Sequence, residues 1–102
     1  MKTAAKVFRA LADPTRRQIL EELKNGQLAA GEIASRFQIS GPSISRHLSL
    51  LEAADLVTVR REGNRLLYQL QLERLIGTLN AFLSAVCPTQ IVERRRRLRR
   101  RK

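Results

Sequence analysis

The only histidine of the chain, His47, lies in the stretch QISGPSISRHLSLL over residues 38–51, with hydroxyls and an arginine around it. Ser43 and His47 are four positions apart, so on a helix their side chains share a face and can hydrogen-bond. A nucleophilic serine also needs a carboxylate to orient its base and donors aimed at an oxyanion. The sequence places neither beside this pair, and the chain reads as a non-enzyme. Metal chemistry is as thinly supplied: Cys87 is alone, and no CxxC or Cys/His cluster exists for a structural zinc site. Cys87 reads either as an inert small hydrophobe or as an intersubunit disulfide or redox switch. What the stretch does offer is hydrogen-bond donors. Arg46 can give two bonds to a guanine edge, and Ser43, Ser45 and His47 accompany it.

Such donors need a polyanion to act on, and the charge agrees. Among 102 residues, 20 are Lys or Arg and 9 are Asp or Glu, a net +11. Residues 93–102, ERRRRLRRRK, hold eight bases and one acid, leaving +4 on residues 1–92. The surplus suggests nucleic acid or an acidic membrane face as partner. No apolar run approaches the roughly 18–20 residues of a membrane span, and the N-terminal stretch lacks the long apolar segment of a secretory signal. The expectation is a cytoplasmic protein with no membrane insertion. The length fits one domain, placed at residues 1–88, with 89–102 as a basic tail expected to stay disordered or only transiently helical when free.

The elements that would position the donors follow from periodicity. Val7, Phe8 and Leu11 predict a first helix over 3–11, stopped by ADPT. Asp13 is an N-cap with Pro14 at the first helical position, and Ile19, Leu20 and Leu23 stripe a second helix that Asn25-Gly26 closes. Ile33, Ala34 and Phe37 mark a short third helix over 29–37. Ser40 caps a fourth that turns Ile44, Leu48 and Leu51 inward and Ser43, Arg46, Ser49 and Leu50 outward. From Leu56 the period becomes two: VTVRREGNRLLYQL predicts a hairpin that turns at Glu62-Gly63-Asn64 and sets Leu66, Tyr68 and Leu70 on one face. Residues 73–87 return to helix, with more apolar surface than contact with its own core requires.

Five helices with a two-stranded β-hairpin, mainly α in an α+β sense, in this order describe a winged helix-turn-helix. In that arrangement the fourth helix enters the major groove of double-stranded DNA, and Ser43, Ser45, Arg46 and His47 become the base-reading set. Ser40 is a cap first and a phosphate contact second. Arg60, Arg61, Asn64 and Arg65 at the wing tip would touch phosphate or minor groove, and Thr15 and Arg16 at the start of the second helix would meet phosphate. Arg17 would instead form a structural ion pair. A plainer reading stands beside this one: the serines are helix-tolerant surface, His47 packs at the edge of the core, and the wing tip is charged because it is solvated.

The segments FRALADPTRRQILEEL, LAAGEIASRFQISGPSISRHLSLLEAADLV and VRREGNRLLYQL resemble the ArsR family of bacterial repressors over about residues 4–87. ISGPSISRHL, with no cysteine beside it, is most similar to the SdpR-like autorepressor branch. The resemblance implies a homodimer whose first and last helices pair across a two-fold axis, with Val7, Phe8, Leu11, Leu75, Leu79, Phe82, Leu83 and Val86 as interface candidates. Half-sites would then lie on the order of 34 Å apart, in an inverted repeat. Many members of the family sense metals through third-helix cysteines or last-helix Asp and His ligands. Here those stretches read LAAGEIA and ERLIGTLNAFLSAVC, so no metal sensing and no cofactor are expected. The resulting expectation is a dimeric repressor on an inverted-repeat operator, with its own promoter as the operator that the similar branch implies. The alternative is an architectural protein that coats nucleic acid through charge alone. In a third reading, a regulatory protein partner engages the outer surface near Leu50 and the tail.

Overall fold

A computed structural model describes residues 2–87. The basic tail and the boundary drawn at residue 88 lie outside the described residues. The elements run α1 (Lys2–Leu11), α2 (Pro14–Leu23), β1 (Leu28–Ala29), α3 (Ala30–Phe37), α4 (Gly41–Ala53), β2 (Val57–Glu62), β3 (Arg65–Leu70) and α5 (Leu72–Val86). All five helices and the hairpin lie within a residue or so of their expected bounds. The sheet carries one strand more than the wing alone: β1 pairs antiparallel with β3, Leu28 opposite Tyr68 and Ala29 opposite Leu67, giving the order β1-β3-β2. Two residues are too short for the periodicity that reveals a strand.

The helix starts follow local chemistry. The Asp13 carboxylate accepts the Arg16 N–H at 3.1 Å, and Pro14 opens α2 without needing a donor of its own. Ser40 Oγ likewise accepts the Ser43 N–H at 3.2 Å to start α4. The turn between α3 and α4 places Gln38 in the left-handed region (φ 53°), a conformation that residues other than Gly, Asn and Asp rarely adopt. At the other end of α4, Asp55 takes φ 59°. The Leu56 N–H reaches back to the Leu51 carbonyl at 3.0 Å and the Asp55 N–H to Glu52 at 2.9 Å, a Schellman ending. Leu51 and Leu56 are both fully buried, which supplies the apolar contact that accompanies this motif.

The core is built around α4. Ile44, Leu48 and Leu51 meet Val7 and Ala10 of α1, Ile19, Leu20 and Leu23 of α2, Ile33 of α3, and Leu56, Val57 and Tyr68 at the base of the wing. No described buried side chain is charged. Val7 is 0% exposed and belongs to this core, so its expected place at an interface is corrected. Positions 7 and 8 point about 100° apart on a helix. Val7 and Ala10 therefore face inward while Phe8 turns to α5. In the hairpin, Gly63 (φ 63°) and Asn64 form a two-residue loop between strands ending at Glu62 and starting at Arg65, tighter than the three-residue turn expected. Leu66 sits at the outer end of its face and is exposed, while Leu67, on the opposite face, is buried beside β1.

Because Leu48 is enclosed and Leu50 lies on the outer side of the same helix, the two leucines should respond differently to truncation. Leu48→Ala is expected to lower unfolding free energy in urea by about 2–5 kcal/mol. Leu50→Ala should stay within about 0.5 kcal/mol of the parent.

Candidate nucleic-acid interface

With its i, i+4 and i+7 residues in the core, α4 presents the rest of its circumference outward. Ser43, Ser45 and Arg46 are exposed, and the Arg46 guanidinium has no hydrogen-bond or ion-pair partner among the described residues. Ser40 is committed to capping, and its hydroxyl also donates to Ser43 Oγ at 2.9 Å. Ser43 therefore keeps its own proton for an outside acceptor. His47 is less open: its side chain is 19% exposed, and its Nδ1 lies 3.3 Å from Arg16 Nη1 and 4.0 Å from Asp13 Oδ2. It is intermediate in burial, between the outward position of the base-reading set and the core-edge position of the plainer reading.

The N-terminal end of α2 differs from expectation. Arg16 does not project outward: its Nε donates to the Ala10 carbonyl at 2.8 Å and its Nη2 to the Arg9 carbonyl at 3.0 Å. Arg17 donates to the Leu11 carbonyl at 2.7 Å, not to a carboxylate. Together the two arginines satisfy the last carbonyls of α1, of which that of Arg9 also accepts the Ala12 N–H at 3.2 Å. Thr15 stays partly exposed at this end. The backbone N–H of Arg16, opposed by desolvation and assisted by the Arg16 charge, holds the Asp13 carboxyl below its ordinary range.

The wing is braced by carboxylates absent from the sequence reading of this site. Arg65 donates to Glu32 Oε1 at 3.1 Å, and that same oxygen accepts the Ala29 N–H at 2.8 Å. Glu32 thus closes half of a capping box on α3; Ala29 has no side-chain acceptor for the reciprocal bond. Arg60 is held by Glu62 at 2.7 Å and by Gln27 at 3.2 Å. Arg61 has no such partner among the described residues, and Asn64 lies exposed in the loop. The spacing of Ala29 and Glu32 was a usable signal for the cap, whereas the Glu32–Arg65 pair spans 33 positions and leaves no local trace.

Along α5, Phe82 packs edge-to-face against Phe8 with ring centroids 5.2 Å apart. Both rings are still exposed by more than a third, and Leu72, Ile76, Leu83 and Val86 are each about half exposed. Leu11 and Leu75 lean on the core and Leu79 is half-buried, so these three contribute less to the outer face than the sequence suggested.

A helix-turn-helix domain model matches residues 11–60. The transcriptional repressor SdpR of Bacillus subtilis is 44% identical over 80 residues, covering 78% of this chain and 89% of that protein. An arsenical resistance operon repressor of Staphylococcus xylosus is 39% identical over 74 residues, covering 72% of this chain and 71% of its own length. Among solved structures, an ArsR-like transcriptional regulator from Rhodococcus is 33% identical with a TM-score of 0.75, covering 95% of this chain and 87% of that one. The chain belongs to the ArsR family of winged helix-turn-helix regulators. It is an SdpR-like member, a DNA-binding regulator and not an enzyme.

In α3 the single carboxylate, Glu32, is already shared by a backbone N–H and Arg65, and the Nδ1 of the sole imidazole faces Arg16. The described residues contain no group of three or more His, Cys, Asp or Glu side chains able to enclose an ion. No described helix is long and apolar enough to cross a membrane.

The Ala29 N–H, opposed by partial burial and aided by Arg65 and Arg36, holds Glu32 below its ordinary value near 4.5. Its stabilising effect is therefore complete above that value and is lost as pH falls through the lower, folded-state value. Thermal melts of the parent and of Glu32→Gln between about pH 7 and pH 3 should show the variant less stable at neutrality, with the gap closing on the acid side.

Proposed function

We propose that this ArsR-family chain is a homodimeric transcriptional repressor that reads an inverted-repeat operator without sensing metal. The observation that carries this reading is the outward, unpaired Arg46 flanked by Ser45 and Ser43 on a helix whose opposite face is core. A guanidinium held on a rigid helix can give two parallel bonds to guanine O6 and N7, and the serines can serve either hydrogen-bonding role. Arg61 and Asn64 at the wing tip supply phosphate or minor-groove contacts. Arg60 and Arg65 keep the wing in place and add charge. The names of its relatives, a transcriptional repressor and an arsenical resistance operon repressor, favour repression.

The two-fold partner would cover the ridge formed by Phe8, Leu72, Ile76, Phe82, Leu83 and Val86, apolar surface that α5 does not bury within its own chain. The SdpR-like branch points to the chain's own promoter as the first operator to test. The domain reading follows: residues 1–88 bind and dimerise, and residues 89–102 add sequence-independent affinity through counterion release. Leu83→Glu should keep the helical circular-dichroism spectrum and sediment as a monomer where the parent sediments as a dimer.

Fluorescence anisotropy on upstream DNA against a composition-matched scramble, at about 0.15 M salt, should give a specificity ratio of roughly 10³ or more. Arg46→Ala should cut that ratio by roughly 10- to 100-fold. Removing residues 93–102 should lower both affinities and flatten their salt dependence while keeping the ratio. A uniform footprint on all DNA, with most binding lost along with the tail, would instead mark a coating protein.

A further inference from the structure

We propose that Arg16 is a positioning residue that fixes the tautomer of His47, so that the recognition helix shows a hydrogen-bond donor, and not an acceptor, at His47 Nε2. The DNA consequence rests on the function proposed above; the tautomer does not. Arg16 is held at both ends. Its backbone N–H is taken by Asp13 Oδ2 at 3.1 Å, and its Nε and Nη2 are bound to the Ala10 and Arg9 carbonyls at 2.8 and 3.0 Å. These carbonyls close α1, a rigid part of the core, and the planar guanidinium fork transmits their geometry to its third nitrogen. That nitrogen, Nη1, is directed at His47 Nδ1 at 3.3 Å.

A guanidinium carries donors only and does not lose its proton in proteins. The Nδ1 atom facing it must therefore offer a lone pair, which sends the ring proton to Nε2. Among the described residues one competing group faces the ring, Asp13, which would draw the proton to Nδ1. It stands farther off at 4.0 Å, and the same oxygen already accepts the Arg16 N–H. The second ring nitrogen sets what a histidine can recognise, as an outer partner does for a metal-bound imidazole. With Nε2 as donor, the DNA group met at this position is an acceptor such as a purine N7, guanine O6, thymine O4 or phosphate oxygen. An exocyclic amino group of cytosine or adenine is refused.

The chain holds one histidine, so ring ¹⁵N spectra of the full-length protein contain a single imidazole. At mildly alkaline pH the expected spectrum has an unprotonated Nδ1 and a protonated Nε2. Arg16→Met should move the ring toward an average of the two tautomers. A parent ring that is averaged or protonated at Nδ1 overturns the proposal, whatever the variant does. So does a folded Arg16→Met protein whose ring spectrum is unchanged. A second arm uses duplexes selected by the parent protein from random sequence. Arg16→Met should lose roughly tenfold in specific affinity with an unchanged slope of log affinity against log salt. A slope shallower by about 0.9 would make Arg16 a phosphate contact and overturn its positioning role. If no sequence can be selected, the proposed operator reading fails, while the ring spectrum still decides the tautomer.

Discussion

Everything in this fold depends on α4 giving one face to the core. Ile44, Leu48 and Leu51 are the common surface on which α1, α2, α3 and the base of the wing converge. The side chains one or two positions away are outward by geometry, since a helix cannot bury a 3.6-residue stripe without displaying the remainder. The aim of Arg46 is thus set by the packing of its aliphatic neighbours. Few aromatics are needed, because short branched side chains from four elements interdigitate around one helix.

Electrostatics divides the basic residues into two groups with different duties. Arg16 and Arg17 complete the carbonyl end of α1, and Arg60 and Arg65 are tied to Glu62, Gln27 and Glu32. Arg46 and Arg61 have no such commitment among the described residues. The ion pairs are exposed and individually weak, so their value is in limiting where an arginine points. A raw charge count makes all of these residues look equivalent, and only the contact geometry separates brace from probe.

Most of the architecture was legible in the sequence because it is local. The Asp13-Pro14 start of α2, the Ser40 cap, the inward triplet of α4 and the change of period from Leu56 are each written within a few residues. The misplacements have physical causes. The resemblance places Val7 beside Phe8 at an interface, although adjacent helical positions serve different neighbours and Val7 belongs to the core. Strand β1 is too short to announce itself, and it exists because Leu28 and Ala29 find β3 beside them. In the candidate site, the exposed donors of α4 and of the wing tip followed from helical and hairpin spacing. Arg16 was misread as outward because nothing near it in sequence shows that His47, 31 positions away, and the end of α1 are its partners.

The Schellman ending of α4 has a mechanical meaning. With Leu56 bonded back to Leu51 and the Gln71 N–H bonded to the Leu56 carbonyl at 2.8 Å, helix and wing share a rigid corner at their junction. On the proposed DNA reading, a helix in the groove and a wing on the backbone, joined at such a corner, would behave like fixed calipers. Their two contacts meet a duplex together only where its groove width matches the jaw. Where it does not, the double helix bears the cost of deforming, and stiff or easily bent base steps are sorted at positions that no side chain touches.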